Sequence, residues 1–414
     1  MPRTIHIIGA GLSGLAAAVE LTARGDSVVI HEATNFAGGR CRSYHDIALG
    51  MTIDNGNHLL LSGNHAALAY LRMIGAEHRL AGPSSAEFPF IDLATHEQWT
   101  LRFNDGRFPW WIFDPGKRVP GTHALDYLPL VRLLWPPRER PLGDVIGLAG
   151  KVYERLVRPL LLAALNIDPS VGSARLAGAV VRETLAAGGR ACRPLIARDG
   201  LGSTLVEPAL ALLEQRHAVV RFGHQLRGVR DADGRAERLD FGSESIALAG
   251  DDAVILAVPP YAAASLLPAL ETPVEFRAIV NAHFRVEPPP RQPPILGVLN
   301  ATTEWIFAFP GRISVTVSAA DRLLDTPRET LAQTIWGEVA AATGLARELP
   351  PWQIVRERRA TFAATPEQDA RRPGARTRYR NLALAGDWTK TGLPATIESA
   401  IRSGHRAAEL VAQF

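Results

Sequence analysis

The first 32 residues contain apolar positions with two kinds of spacing, one typical of buried strands and one typical of a helix. Residues 4–8 form a short, mostly apolar run that ends at a glycine, as a buried strand does. The next segment, 13–24, has the spacing of an amphipathic helix, whose inward side would carry Leu15, Ala18, Val19 and Leu21. A second apolar run, 27–32, follows directly. The pattern therefore predicts a strand, a helix and a second strand in succession.

The middle and the end of the chain carry the same kinds of pattern. Predicted helices cover 200–214 and the residues after about 395, and predicted strands cover 218–222, 226–230, 253–258 and 382–385. The uncharged stretch 253–270 is long enough to raise the question of a membrane span. Pro259 and Pro260 lie in its middle and favour a buried strand followed by a turn and a helix.

The first turn reads Gly9-Ala10-Gly11-Leu12-Ser13-Gly14. Gly9 permits a sharp turn, Gly11 has no Cβ to keep a pyrophosphate away, and Gly14 permits close packing of the helix on the sheet. Phosphates would lie on the amides of the first helical turn, which includes Ser13. Glu32 can accept hydrogen bonds from an adenosine ribose. A glycine-rich turn without a ligand is the alternative, but the strand, the helix and the distal acid together favour a dinucleotide site.

Two later segments indicate which dinucleotide binds. Gly38, Gly39, Arg40 and Arg42 form a glycine pair with basic residues that could pass beneath a pyrophosphate and neutralise it. Near the C terminus an apolar run leads into Gly386-Asp387, and the last predicted helix, from about Ala395, contains Thr396-Ile397. That helix can direct its amides at the pyrimidine edge of a flavin, while Asp387 accepts from ribityl hydroxyls. The expected cofactor is FAD.

Further stretches resemble a known family, namely residues 54–61, 163–166, 359–362 and 392–398. With the cofactor motifs, they make the chain similar to the flavin amine oxidase and phytoene desaturase superfamily, and within it to the squalene-associated branch, the hydroxysqualene dehydroxylases of bacterial hopanoid synthesis. The resemblance spans nearly the whole chain. It implies an α/β fold with a Rossmann-like FAD-binding domain and an interleaved α+β substrate domain.

The resemblance also implies how the segments divide and which further residues meet the cofactor. The FAD-binding domain would comprise 1–80, 196–265 and 376–414, and the substrate-binding domain 81–195 and 266–375. Gly56 and Asn57 would lie near the isoalloxazine ring. Val229 would contact the adenine through its backbone, unless it is an ordinary strand valine.

Composition narrows the possible functions. The chain has 414 residues, of which 47% are hydrophobic, and a formal net charge of +3 without a dense basic run, which argues against nucleic-acid binding. Its two cysteines, Cys41 and Cys192, indicate a reducing compartment and lie far in sequence from the last helix, so we expect non-covalent FAD and no metal site. Because the first strand begins almost at once, we expect no signal peptide and a cytoplasmic location.

Aromatic residues of the predicted substrate domain indicate an apolar ligand. Those on segments that alternate as strands do, and that could line one wall of a cavity, are Phe276, Phe284, Trp305, Phe307, Phe309 and Phe362. Each taken alone could be plain core. The region 108–140 mixes aromatics, leucines and cations, which suits either peripheral contact with the inner face of a membrane or a helical cover over the core.

Two absences bear on the reaction that the resemblance implies. Amine oxidases of the superfamily commonly use a tyrosine where Thr396 stands here, and a substrate-domain lysine, yet no lysine occurs between Lys151 and Lys390. The resemblance therefore favours reductive dehydroxylation of hydroxysqualene to squalene, with a carotenoid-type desaturase or another flavin oxidase as the alternative. His58 is the candidate acid, and a loop-orienting role is its alternative. The substrate would be a long apolar isoprenoid, and the electron donor is not identified.

Overall fold

The computed structural model describes residues 3–414. In chain order its strands are β1 (Thr4–Ile8), β2 (Ser27–His31), β3 (Ser43–Asp46), β4 (Met51–Asp54), β5 (Leu59–Leu61), β6 (Leu80–Ala81), β7 (Ala86–Asp92), β8 (Gln98–Phe103), β9 (Pro194–Ala197), β10 (Val219–Arg221), β11 (Gly228–Ala232), β12 (Arg235–Asp240), β13 (Ser245–Ala247), β14 (Ala253–Leu256), β15 (Phe276–Arg285), β16 (Ile295–Leu299), β17 (Trp305–Phe309), β18 (Arg312–Val317), β19 (Trp352–Phe362) and β20 (Leu382–Leu384). Its α-helices are α1 (Leu12–Ala23), α2 (His65–Met73), α3 (Arg158–Leu165), α4 (Ala174–Glu183), α5 (Glu207–Gln215), α6 (Pro260–Leu266), α7 (Arg328–Thr343), α8 (Pro366–Ala370) and α9 (Ile397–Val411).

A five-stranded parallel sheet holds the N-terminal turn. Its strand order is β10-β2-β1-β14-β20, and every neighbouring pair is parallel. Helices α1 and α9 pack against each other beside it, and a Cβ on Gly404 would lie 2.2 Å from the carbonyl oxygen of Ser13, so the two helix backbones touch at this point. The predicted strand-helix-strand unit and the Rossmann-like sheet are confirmed.

A seven-stranded sheet forms the second large layer. Its order is β19-β15-β18-β17-β16-β7-β8, antiparallel throughout except for the β16–β7 pair. Trp305, Phe307 and Phe362 belong to one apolar core, whereas Phe284 packs on Trp336 of α7 in a different core, with ring centroids 5.0 Å apart. The prediction that Phe284 shares a wall with the other aromatics is therefore wrong.

A small sheet crosses two of the predicted domain boundaries. It has the order β5-β9-β6, and the strands β6 and β9 cover positions 80–81 and 194–197. The large parallel sheet takes its strands from residues 4–31, 219–221, 253–256 and 382–384, and the seven-stranded sheet takes its strands from 86–103 and 276–362. The domain boundaries themselves stay a prediction.

The predicted helix over 200–214 is interrupted near its start. A π-helical turn occupies Gly202–Val206, and α5 begins at Glu207. Pro208, at the second position of α5, has no amide hydrogen to continue a regular helical ladder, which accounts for the irregular turn before it. The stretch 253–270 contains β14 and α6, as predicted. Among the helices of residues 3–414, none combines the length and apolarity needed to cross a bilayer.

Candidate FAD site

The turn after β1 has one glycine that faces open space and two that do not. A Cβ on Gly9, whose φ is +106°, would lie 2.4 Å from the carbonyl oxygen of Ala257, and a Cβ on Gly14 would lie 2.0 Å from that of Gly9. A Cβ on Gly11 would have no heavy atom within 4 Å. Ser13 is buried in the first turn of α1. Gly9 and Gly14 thus serve the fold, while Gly11 leaves room for a ligand against the start of α1.

Glu32 follows the end of β2, and its carboxylate turns back toward this same turn. Its Oε2 accepts a hydrogen bond of 2.8 Å from the amide of Ala10. Its Oε1 accepts from the amide and the hydroxyl of Thr34, both at 2.9 Å. A carboxylate has about four lone-pair sites, so these three bonds leave acceptor capacity for a ribose hydroxyl. The contacts also hold the carboxylate in one orientation beside the glycine turn.

The glycine pair 38–39 closes over the first turn. The amide of Gly38 donates to the carbonyl of Ala10 at 2.8 Å, and a Cβ on Gly39 would approach the Cα of Gly11 to 3.4 Å. Arg42 donates to the carbonyl of Gly39 at 3.0 Å. The structure brings both glycine segments into direct contact, and that they line one pyrophosphate site together stays a prediction.

Arg40 joins the N-terminal and C-terminal halves of the site. Its guanidinium donates to both carboxylate oxygens of Asp387 at 2.7 Å and also to the carbonyl of Ala360. The predicted contact of Arg40 with a pyrophosphate stays a prediction, since here it pairs with Asp387. Gly386 precedes this acid with φ +148°, and a Cβ there would lie 2.3 Å from Nε1 of Trp388.

The last helix begins two residues later than the sequence indicates. Thr396 is the N-cap of α9, and its hydroxyl accepts from the amide of Ser399 at 3.1 Å. Ile397 is the first helical residue. The hydroxyl of Ser399 donates to the carbonyl of Asp387 at 3.2 Å, which fixes the helix start beside that acid. That the free amides of this first turn face the edge of a flavin stays a prediction.

The segment 54–58 lies between the cofactor motifs and the seven-stranded sheet. Asn57 donates through Nδ2 to the carbonyl of Val315 at 3.3 Å and to the hydroxyl of Thr316 at 3.1 Å. Its Oδ1 is buried without a hydrogen-bond partner, and an N–H donor of a ligand would satisfy this acceptor. A Cβ on Gly56 would lie 3.1 Å from Nδ2 of Asn281. These contacts fix the segment on the sheet.

His58 lies within electrostatic reach of the Arg40–Asp387 pair. Burial, together with the positive charge of Arg40, lowers the pKa of His58 to about 4, although Asp54 and Asp387 oppose the shift. Its imidazole is therefore largely neutral at neutral pH. As an acid, His58 would act through a small protonated fraction, and the assignment stays a prediction.

Apolar side chains continue from the cofactor motifs into the second layer. Trp305, Phe307 and Phe362 are each less than a tenth exposed and share one core with Trp388, the residue after Asp387. Val229, on β11, is partly buried against this same core. No lysine side chain is buried, because all three lysines of the chain are exposed. The chain thus offers an apolar wall beside a cofactor site.

Three charged residues of the site were not recognised in the sequence. The buried guanidinium of Arg372 donates to the carbonyls of Asp387, Trp388 and Thr389 and lies 4.8 Å above the ring of Phe362. The carboxylate of Asp54 accepts from the amide of Leu201 at 2.8 Å. Glu398 accepts from two amides at the start of α2. Each contact joins residues at least ten positions apart, so no local pattern marks it.

The glycine cradle, the two acids Glu32 and Asp387 and the unpartnered Oδ1 of Asn57 fit an FAD molecule, and with the parallel sheet they define an FAD-dependent oxidoreductase. The chain belongs to the family of flavin containing amine oxidoreductases, whose model matches residues 12–412, and within it to the hydroxysqualene dehydroxylases.

Similar proteins are known from bacteria. The chain is 61% identical to the hydroxysqualene dehydroxylase of Rhodopseudomonas palustris over 412 residues, covering 99% of both chains. It is 47% identical to that of Zymomonas mobilis over 405 residues, covering 98% of both. The solved structure of cyclohexylamine oxidase from Brevibacterium oxydans is similar in fold, with a TM-score of 0.74 at 15% identity over 100% of this chain and 99% of that one.

Proposed function

We propose that the chain catalyses the FAD-dependent reductive dehydroxylation of hydroxysqualene to squalene, as a step in hopanoid synthesis. The observation that carries the proposal is the high identity, over the full length, to proteins named for this activity. In the overall change, a C–O bond breaks, a C–H bond forms, and the hydroxyl leaves as water after taking up one proton. The reduced flavin, when bound, supplies the hydride, and an external donor must restore the reduced state.

The residues of this chain would align the substrate with the flavin, exclude water from the reacting carbon and supply one proton. Trp305, Phe307 and Phe362 offer an apolar wall for a long isoprenoid, which needs few polar contacts. An allylic carbon that loses its hydroxyl develops positive charge, so water must be kept away from it. Burial of these rings beside Trp388 provides such a dry surface. The absence of a buried lysine fits a hydrocarbon substrate better than an amine substrate.

His58 is the residue of this chain that we propose to protonate the departing hydroxyl. The pKa of His58 is lowered to about 4. As the pH falls from 8 to 6, the protonated fraction of His58 therefore grows about tenfold for each pH unit. The rate of the chemical step should therefore rise as the pH falls across that range. Replacement by glutamine keeps hydrogen bonding but cannot supply a proton.

The test is single-turnover stopped flow on pre-reduced, anaerobic protein, because this isolates the step from the unidentified donor. Hydroxysqualene should reoxidise the flavin with formation of squalene, whereas phytoene and a panel of amines should not react. His58→Gln should slow the step by about 10² to 10⁴ fold and abolish its pH dependence. Wild-type flavin that hydroxysqualene leaves reduced would refute the function. A full-speed His58→Gln variant would refute only the role of His58.

A further inference from the structure

Half of the exposed large apolar side chains of residues 3–414 lie in one short region. Of fourteen such side chains, seven fall within residues 108–135. We call them the aromatic surface, and they are Phe108, Trp110, Phe113, Leu125, Leu128, Val131 and Trp135. Trp110 is 65% exposed and Trp135 80% exposed. Exposed apolar side chains are normally scattered singly, so this concentration requires an explanation.

The aromatic surface is the outer side of two short 3₁₀ helices, Trp110–Phe113 and Ala124–Leu134. Their inner sides are buried, since the ring of Trp111 lies 4.8 Å from that of Phe103 and 5.2 Å from that of Tyr127. Trp111 is thus part of the core. Packing of the inner side is sufficient to hold both helices on the core. The core therefore does not explain why the outer side is also apolar.

The outer aromatics touch one another in the open. The ring centroids of Phe108 and Trp110 are 4.4 Å apart, and those of Trp110 and Phe113 are 6.1 Å apart. A contiguous aromatic cluster of this kind would be costly to leave in water. Tryptophan and phenylalanine are also the side chains that favour the boundary between lipid headgroups and acyl chains.

Exposed cationic side chains occur in the same region of the chain. Between residues 105 and 140 the sequence has six arginines or lysines and four acids. In residues 3–414, no carboxylate lies within ion-pairing distance of Arg107, Arg132, Arg138 or Arg140, whereas Lys117 pairs with Asp114 at 3.0 Å. Four exposed arginines without an acidic partner, in the same region of the chain as the exposed rings, complement an anionic lipid surface. The same charge would repel a second copy of this surface.

We infer that the aromatic surface docks the protein on an anionic bilayer, with the exposed rings among the headgroups and the arginines against lipid phosphates. The inner sides of the same helices belong to the core that contains Phe90, Trp305 and Phe307. The inner sides of the docked face and the candidate substrate wall therefore belong to one apolar core. That a membrane-dissolved substrate enters by this face rests on the function proposed above.

Vesicle sedimentation with the full-length FAD-bound protein tests the docking. Vesicles of phosphatidylcholine with phosphatidylglycerol in equal amounts are compared with vesicles of phosphatidylcholine alone. The triple variant Trp110→Ser, Phe113→Ser, Trp135→Ser should reduce partitioning to anionic vesicles more than tenfold. The control variant Ile47→Ser, Val219→Ser, Val274→Ser removes three exposed apolar side chains elsewhere and should sediment as the wild type does.

Unchanged flavin absorbance and circular dichroism establish that the variants are folded. Arg132→Gln with Arg138→Gln and Arg140→Gln should weaken binding to anionic vesicles and reduce its dependence on salt. Equal sedimentation of the wild type and the Trp110 triple variant would overturn the inference. A wild-type dimer that the triple variant converts to monomer, without vesicle binding by either, would overturn it in favour of a self-association surface.

Measurements of hydroxysqualene turnover in vesicles and in detergent micelles distinguish a failure of this inference from a failure of the proposed function. The Trp110 triple variant should lose turnover on vesicle-embedded hydroxysqualene more than tenfold and keep it on substrate in detergent micelles. Equal loss in both would show that the surface does not serve uptake from the membrane, which would overturn the entry route. A wild type that binds anionic vesicles but does not act on hydroxysqualene in either form would refute the function and leave the docking supported.

Discussion

At the residue scale, the atoms that an added Cβ would meet differ among the glycines of the first turn. They decide whether a glycine serves the fold or leaves room for the cofactor. Gly11→Ala places a methyl group in open space, so the chain should fold. FAD affinity should fall about 10- to 100-fold, because overpacking against a ligand costs about 1–3 kcal/mol. Gly14→Ala drives a methyl group into the carbonyl of Gly9 and should destabilise the fold itself by about 3 kcal/mol. Quenching of flavin fluorescence measures the affinity and urea unfolding the stability.

Gly25→Ala serves as a matched control for stability, since a Cβ there also meets open space but φ is +88°. It should cost about 1 kcal/mol through backbone strain and leave FAD affinity unchanged. Wild-type affinity in Gly11→Ala would show that no ligand approaches this glycine. Wild-type stability in Gly14→Ala would contradict the close helix packing.

At the residue scale, the sequence predicts what local spacing encodes. Gly9, Gly11 and Glu32 are predictable because a strand, a turn and a helix fix their relation within one continuous segment. Arg372 is not, because its partners Asp387 and Phe362 are set by how distant segments pack. The pairing of Arg40 with Asp387 likewise joins positions 347 residues apart.

One carboxylate links two helices at the element scale. Glu398 is 2% exposed and accepts from the amides of Ala66 and Ala67 at 3.0 and 2.8 Å, which caps α2 from α9. Glu398→Ala leaves both amides without a partner and should lower the free energy of unfolding by about 2–4 kcal/mol. Glu398→Gln retains one acceptor oxygen and should cost less. Urea denaturation measures both.

Glu409, on the same helix, provides the control. It is exposed and pairs only with Arg406, so Glu409→Ala should change the free energy of unfolding by less than about 0.5 kcal/mol. If Glu398→Ala is as stable as Glu409→Ala, the capping of α2 does not contribute to stability. FAD affinity should fall with Glu398→Ala, since α9 begins beside Asp387.

Elements were predictable where the pattern was periodic and uninterrupted. The strand over 4–8 and the helix after it agree with the structure to within a residue or two at each end. The helix predicted over 200–214 places Pro208 in its interior, where the missing amide hydrogen interrupts a regular ladder, so this local signal was present in the sequence and the prediction did not use it. Phe284 could not be assigned to a face, because alternation gives the period of a strand but not its direction.

At the scale of the whole molecule, the pairing between strands that are distant in the chain cannot be predicted from the sequence pattern. The order β19-β15-β18-β17-β16-β7-β8 brings residues 86–103 beside residues from the last third of the chain. No local spacing encodes such a register, whereas the resemblance to a family implies it. Burial of ionisable side chains follows from the same packing, and it makes the stability of the whole chain depend on pH.

Two fully buried histidines are among the groups that set that dependence on the acid side. Burial lowers the pKa of His31 to about 3, assisted by His6, His224 and Arg221, and burial with Arg312 lowers that of His283 to about 3. Both are depressed below the unfolded value of about 6.5, so between these values the unfolded chain binds more protons. Their contribution to stability is complete above pH 6.5 and is lost as the pH falls toward 3. At pH 5 each loses about 2 kcal/mol.

Urea unfolding of the FAD-free protein at several pH values between 7.5 and 5 tests this expectation. The free energy of unfolding should fall with the pH below 6.5, and His31→Gln should show a slope smaller by about one proton, because glutamine stays neutral in both states. His78→Gln, at an exposed position, should keep the wild-type slope. If His31→Gln and the wild type have the same slope, His31 takes up its proton equally well in the folded chain. Its hydrogen bonds, 3.1 Å to His6 and 2.8 Å to His224, would then hold a charged ring rather than a neutral one.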